Sequence, residues 1–254
     1  MTDERVRNAA RAAGMPLDDL EVASPPTERG SRVELGRGDL ALRTGDHAAF
    51  IYWDPKDLLA MAVPYLVEGL RAGDKVVYVA DDLTIAELEQ SLVAAGVDVK
   101  RESAQGNLAL TTATAAFFPN GTFDLDAALA GVGALASSAV KDGFRRVRFS
   151  VEMTYLLAKV PGIERGPEFE SRANEEVFAK LPFVCVCSFN TARDLSNTLV
   201  DVLRTHPVLI HDGVPLANPY YRAWAELRTE PGRLTRRTRR TSDAQPRSKG
   251  ADRR

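Results

Sequence analysis

The residue with the most chemistry to account for is Glu152, in the run FSVEMTY. A carboxylate at the end of an otherwise apolar strand must be answered, because burying it unpaired is costly. It can serve as a ligand group in a cavity, pair with a base such as Arg148, or reach solvent. His47 opens the run HAAFIY and Tyr52 closes it, with Trp53 just beyond. A histidine there suits a ligand contact or a satisfied structural role, and the two aromatics suit a core as well as a site. Tyr155 and Asn190 follow two further apolar runs. Glu170 and Asn174 are i and i+4 in FESRANEE and would share a helix face, as many surface pairs do. These eight residues form the candidate ligand-binding set. With His47 and Tyr52 five residues apart, a regular strand points them to opposite faces, so one pocket holding both needs a bulge or a strand end.

Cys185 and Cys187 lie two apart in FVCVCSF, on one face of a strand but too far apart for an unstrained disulfide. They read as small core residues or as a thiol sensor. The three histidines, His47, His206 and His211, have no metal-ligand spacing to the cysteines, so neither a structural zinc site nor any other metal is expected. His206 precedes Pro207 and reads as a helix stop.

Enzyme signatures are missing. There is no G-x-S-x-G, H-E-x-x-H or G-x-G-x-x-G motif, and the turn after HAAFIY reads Trp53-Asp54-Pro55-Lys56-Asp57, with none of the glycines that let backbone N–H groups close around phosphate. No catalytic residue and no cofactor is expected.

The elements that would position these residues alternate in type. Strands are expected at HAAFIY, KVVYVA, RRVRFSVEM and FVCVCSF, with shorter extended pieces at VDVK and LALTT. Helices are expected from Pro55 to Arg71, kinked at Pro64; after the capping-box sequence Thr84-Ile85-Ala86-Glu87, up to Gly96; and over Leu125–Lys141, Glu164–Lys180 and Leu195–Thr205. PVLIH and an Asp212-Gly213 turn suggest a closing hairpin. Continuous apolar strands separated by helices specify a three-layer α/β domain, a mainly parallel sheet with helices on both faces. Ligands in such folds collect beyond the C-terminal strand ends.

The domain is expected over residues 45–227. Residues 1–44 form an N-terminal extension, with a helix near Glu4–Ala13, a Pro-rich break at SPPTERG and a hairpin around Arg37-Gly38-Asp39. Residues 228–254 carry ten Lys/Arg against three Asp/Glu, an excess of seven that leaves −9 for the rest of a chain whose net charge is −2. This basic tail lacks apolar residues to bury and is expected to be disordered. Nucleic acid is a possible partner through Arg228–Arg254, in a salt-dependent way. With 44% hydrophobic residues, no apolar run long enough to span a membrane and no signal-peptide core, a cytoplasmic protein without membrane association is expected.

Several stretches, GDHAAFIYWD, PYLVEGLRAGDKVVYVADD, VEMTY, FESRANEE, CVCSFN and DVLRTHPVLIHDG…NPYY, occur in the order seen in the MEDS family, the sensory domain named for methanogens, methylotrophs and the dichloromethane-responsive regulator. The chain resembles that family from about Gly45 to Tyr221. The resemblance implies a RecA/KaiC-like fold without a functional phosphate loop, and a role in sensing small molecules such as hydrocarbon derivatives. The family's first motif resembles a histidine, a cysteine two residues on, and a tyrosine; here His47 and Tyr52 match, but Ala49 stands at the cysteine position. Its Gly-Glu-Met motif retains Glu152 and Met153, with Val151 in place of the glycine. Family members are commonly joined to a regulator, a kinase or an anti-sigma-type module, which implies a protein partner. The expected function is non-catalytic: a small-molecule ligand is bound by the α/β domain and the signal passes to that partner. The rivals are a degenerate nucleotide-binding protein or ATPase, with Glu152 activating water, and binding of nucleic acid or an acidic partner through the tail.

Overall fold

A computed structural model describes residues 4–17, 31–36, 41–193, 198–211 and 213–229. The Pro-rich break, the Arg37-Gly38-Asp39 turn, Asp212 and all of the basic tail beyond Thr229 lie outside the described residues.

Seven strands form one sheet: β3 (His47–Tyr52), β4 (Lys75–Ala80), β5 (Leu108–Thr112), β6 (Val147–Glu152), β7 (Phe183–Asn190), β8 (Val208–His211) and β9 (Val214–Ala217). Their order is β5-β4-β6-β7-β3-β8-β9, and every pairing is parallel except β8 with β9. A separate antiparallel hairpin joins β1 (Arg32–Glu34) and β2 (Ala41–Arg43). Parallel strands covered on both faces must be apolar throughout, and β6 and the first seven residues of β7 are buried at every position. One apolar core lies beneath α2 (Pro55–Arg71) and α3 (Ile85–Ala94), and includes Leu58, Met61, Tyr65, Leu88 and Leu92. The other lies beneath α6 (Leu125–Lys141), α7 (Gly166–Ala173) and α8 (Thr198–Thr205).

Local chemistry sets the element boundaries. Asp54 accepts the Lys56 N–H at the start of α2, ahead of Pro55 at the first helical position. Thr84 and Glu87 close a reciprocal capping box at the start of α3. VDVK, expected to be extended, instead begins α4 (Val99–Ala104), because the Asp98 side chain accepts the Arg101 N–H and caps it. The helix expected over Glu164–Lys180 starts with a 3-10 turn (Ile163–Arg165), runs as α7, and widens into a π-turn at Asn174–Phe178. Two short helices were not expected, α5 (Ala113–Phe117) and α9 (Trp224–Leu227).

Arg148 is not the partner of Glu152. Arg146 and Arg148 both bond the buried Asp74, at 2.9 and 3.0 Å, and their other donors reach Thr44 Oγ1, Glu34 O and Tyr65 O. This triad ties the N-terminal hairpin to the sheet. It also requires Gly69, where a Cβ would overlap Arg148 Cδ and Val76 Cγ2.

Candidate functional site

The candidate residues do not form one pocket over the strand ends. They separate into two polar clusters, one at each end of β3, because His47 and Tyr52 open and close a strand with no bulge.

The first cluster lies at the C-terminal edge of the sheet. Glu152, the last residue of β6, is fully buried, and donors occupy both carboxylate oxygens. Tyr78 Oη donates to Oε1 at 2.6 Å, and the backbone N–H groups of Asp81, Asp82 and Leu83 converge on Oε2. Burial raises the Glu152 pKa, and these hydrogen bonds pull it back. Glu152 therefore holds the loop after β4 in shape. The loop in turn aims Asp82 Oδ2 at Tyr52 Oη (3.0 Å), Thr154 Oγ1 (2.9 Å) and Asn190 Nδ2 (2.7 Å), while Arg193 reaches Oδ1 at 3.3 Å. Burial pushes Asp82 up, but these donors outweigh it and leave the carboxyl below its usual range. Asp81 goes the other way: burial and the charges of Asp82 and Glu152, opposed by Arg193, raise it to about 6. Trp53 is exposed at this edge.

The second cluster is interior, on the face covered by α7 and α8. His47 Nε2 lies 3.1 Å from Cys187 Sγ and 3.3 Å from Glu170 Oε2. His206 Nε2 lies 3.3 Å from the same Glu170 oxygen, and Cys187 Sγ is 3.5 Å from it. One ligand atom from each of His47, Glu170, Cys187 and His206 fits within 4.8 Å of every other, and all four residues are buried. Asn174, first residue of the π-turn, accepts from His47 Nδ1 at 3.1 Å and donates to Glu170 O and Thr205 O. π-turns inside helices recur at functional sites. Cys185 and Cys187 are free thiols with their sulfurs 3.6 Å apart. Burial opposes charge on His47, but the Cys185 thiol and the Glu170 carboxylate outweigh it and lift the imidazole to about 9. Burial and the His47 charge push His206 down to about 4. Burial raises Glu170, but the neighbouring His206 and His47 imidazoles bring it down to about 2.

Tyr155 belongs to neither cluster. It stacks on Phe117 with ring centroids 4.8 Å apart, and its buried hydroxyl has no hydrogen-bond partner among the described residues.

Sequence spacing hid the second cluster because its members come from β3, α7, β7 and the residue after α8. The parallel pairing of β3 with β7 sets His47 opposite Cys185 and Ala49 opposite Cys187. A thiol thus reaches the neighbourhood of His47 from the adjacent strand, where the resembled family motif would place one at position 49.

A cleft of about 480 Å³ opens between the sheet and α6, lined by Val77, Val79, Phe149, Phe117, Val132 and Leu135, with Asn120, Thr122 and Asp124 among its polar residues. Its volume and apolar lining suit a small organic ligand. None of the eight candidate residues lines it.

Comparisons with known proteins agree with this architecture. The fold is similar to that of a KaiC-like protein from the hyperthermophilic archaeon Pyrococcus horikoshii OT3, with a TM-score of 0.52, 11% identity, and coverage of 71% of this chain and 80% of that one. It is also similar to the flagellar accessory protein FlaH from Methanocaldococcus jannaschii, with a TM-score of 0.51, 13% identity, and coverage of 74% and 84%. At these identities the likeness shows a RecA/KaiC-like fold and nothing of activity. No curated protein sequence matches the chain. No helix among the described residues is long and apolar enough to cross a membrane. The model of the MEDS domain, the MEthanogen/methylotroph, DcmR Sensory domain, matches residues 46–207, so the chain belongs to the MEDS family.

Proposed function

We propose that the chain is a non-catalytic sensory or regulatory protein of the cytoplasm, which binds a small ligand and passes the signal to a protein partner in transcriptional or signal-transduction control. The observation that carries this reading is that the protein's own carboxylates occupy the edge where a nucleotide would be expected to react. The start of α2 faces the Asp54 carboxylate, and Pro55 offers no N–H, so an incoming phosphate would meet negative charge instead of a cradle of donors. Glu152, the one carboxylate placed to activate water in the ATPase reading, has Tyr78 and three backbone N–H groups on its oxygens. The phosphate loop is, on this reading, degenerate.

The cleft under α6 is the better ligand site. It is apolar along the sheet and has polar residues from Asn120 to Asp124, which suits a small, largely apolar molecule with one polar group. Native mass spectrometry of the purified chain, with ATP and a small-metabolite extract offered separately, tests the reading. Retention of a metabolite by the wild type, and its loss in a Leu135→Trp variant that fills the cleft, is the expected result. Retention of ATP in place of a metabolite would overturn the non-catalytic reading and favour the nucleotide-binding one.

A further inference from the structure

The interior cluster has more Lewis bases than its own protons can answer. The bonds around it fix both histidine tautomers. Asn174 spends its amide N–H groups on Glu170 O and Thr205 O, which leaves Oδ1 facing His47 Nδ1, so that nitrogen must donate. His206 Nδ1 faces Val202 O at 3.0 Å, a carbonyl that can only accept. Thr205 Oγ1, also at 3.0 Å, directs its own proton to Asp201 O and accepts as well. Both rings therefore carry hydrogen on Nδ1 and turn Nε2 inward, His206 with a lone pair there and His47 with either a lone pair or the second proton its raised pKa lets it hold. The two Nε2 atoms meet a carboxylate oxygen and a thiol sulfur. His206 Nε2 is buried and makes no hydrogen bond among the described residues, although Glu170 Oε2 is only 3.3 Å away: its lone pair faces another acceptor. A proton on His47 would answer one of these contacts and leave the His206 side of Glu170 without a donor.

A single cation at the centre would answer all of them. Metal–ligand bonds of about 2.0–2.3 Å in a tetrahedron place ligand atoms roughly 3.3–3.7 Å apart. Four of the six separations here, around His47, Glu170, His206 and Cys187, are 3.1, 3.3, 3.3 and 3.5 Å, and all six lie within 4.8 Å, so a bound ion would draw the remaining pairs in. Each imidazole already has the outer bond that orients a metal-bound histidine: Nδ1–H to a side-chain carbonyl for His47, and to a backbone carbonyl for His206.

We propose that His47, Glu170, Cys187 and His206 form a binding site for a divalent first-row transition cation, with zinc the best fit to this N₂SO donor set. Four protein ligands leave no open position, so the site is of the closed, non-catalytic type. Calcium and magnesium are disfavoured because they take oxygen ligands in larger number. Binding expels the Cys187 thiol proton and any proton held on His47, so affinity rises with pH. The ion would join β3, β7 and the end of α8 to the helix that passes into the π-turn, which makes metal occupancy and the placement of α7 one equilibrium. The proposal is independent of the ligand cleft and of the sensory reading; failure of either leaves the other standing.

The test is to express the full chain in cobalt-supplemented minimal medium, so that metal is offered as the site folds, and to purify it under reducing conditions. Elemental analysis should find one divalent transition cation per chain. The cobalt form should show intense d–d bands of a four-coordinate ion and a near-ultraviolet thiolate-to-cobalt charge-transfer band, both lost on displacement by Zn²⁺. Cys187→Ser should abolish the charge-transfer band, whereas Cys185→Ser, outside the ligand set, should keep it. If the substituted cluster does not fold, the wild type and Cys185→Ser still decide the matter. A folded wild type carrying only traces of cobalt or zinc would overturn the proposal and leave protons as the sole answer to the cluster. A charge-transfer band that survives Cys187→Ser would overturn the ligand assignment.

Discussion

Glu152 and Glu170 are both buried carboxylates inside one α/β sandwich, and their surroundings answer them in opposite ways. Glu152 is met only by donors, a phenol and three backbone N–H groups, and its charge is spent on holding a loop. Glu170 is met by two imidazoles and a thiol, of which His206 presents a lone pair. Satisfied polarity of the first kind makes structure, while unsatisfied polarity of the second kind leaves a place for something else to bind. A carboxylate in an apolar strand end signals that an answer exists; only its neighbours show which kind it is.

The largest expected effect breaks the satisfied side. Glu152→Ala would strand three backbone N–H groups and the Tyr78 hydroxyl in a buried setting, and should cost about 3–5 kcal/mol in urea unfolding at neutral pH. A cost under about 1 kcal/mol would mean that water replaces the carboxylate, and the contrast between the two glutamates would disappear.

The next sharpens the unsatisfied side through linkage. Free Zn²⁺ at about 100 times its dissociation constant should add about 2.7 kcal/mol to the stability of the wild type. Glu152→Gln, at the far end of the sheet, should lower the baseline yet keep this increment, since distant sites add. Cys187→Ser should keep the baseline better and lose the increment. Chemical unfolding with buffered zinc or with a chelator measures both; an increment that vanishes in Glu152→Gln would show that the clusters are one cooperative unit.

What the sequence makes legible follows the same division. Apolar runs and caps place β3, β4, α2 and α6 at their observed limits, because those signals are local: Asp54 and Pro55, Thr84 and Glu87, or an unbroken strand. VDVK fails as an extended piece for a local reason too, the Asp98 cap. Strand order is not local. Nothing in HAAFIY or FVCVCSF says that the two lie side by side, and so nothing puts Cys187 beside His47 or brings His206 under Glu170. Single residues read as doubtful alone, a helix-stop histidine, a core cysteine and a helix-surface glutamate, become one cluster only through the β7-β3-β8 adjacency. At the sheet edge the strand-end rule does gather Tyr52, Glu152 and Asn190, yet it cannot tell that Asp82, and not an outside ligand, binds Tyr52 and Asn190.

The smallest effect tests whether the edge is a closed structural device down to an exposed member. Asp81 faces Asp82 and Glu152, with Arg193 as the opposing charge, and titrates at about 6 in the folded chain against 3.8 as the ordinary value. Because the folded pKa is the higher, the folded state holds the extra proton. The associated stability is present below pH 3.8 and is lost as pH rises through about 6. At pH 7 the wild type has lost it, and Asp81→Asn, neutral at any pH, should be the more stable form. The side chain reaches water, so screening reduces a shift nominally worth about 3 kcal/mol to about 1 kcal/mol. The advantage should shrink toward zero as pH falls below 4, when Asp81 is protonated in both states. Paired unfolding curves at the two pH values read it out. An Asn variant less stable than wild type at pH 7 would mean that the Asp81 carboxylate is engaged by a partner, and that the edge holds a ligand after all.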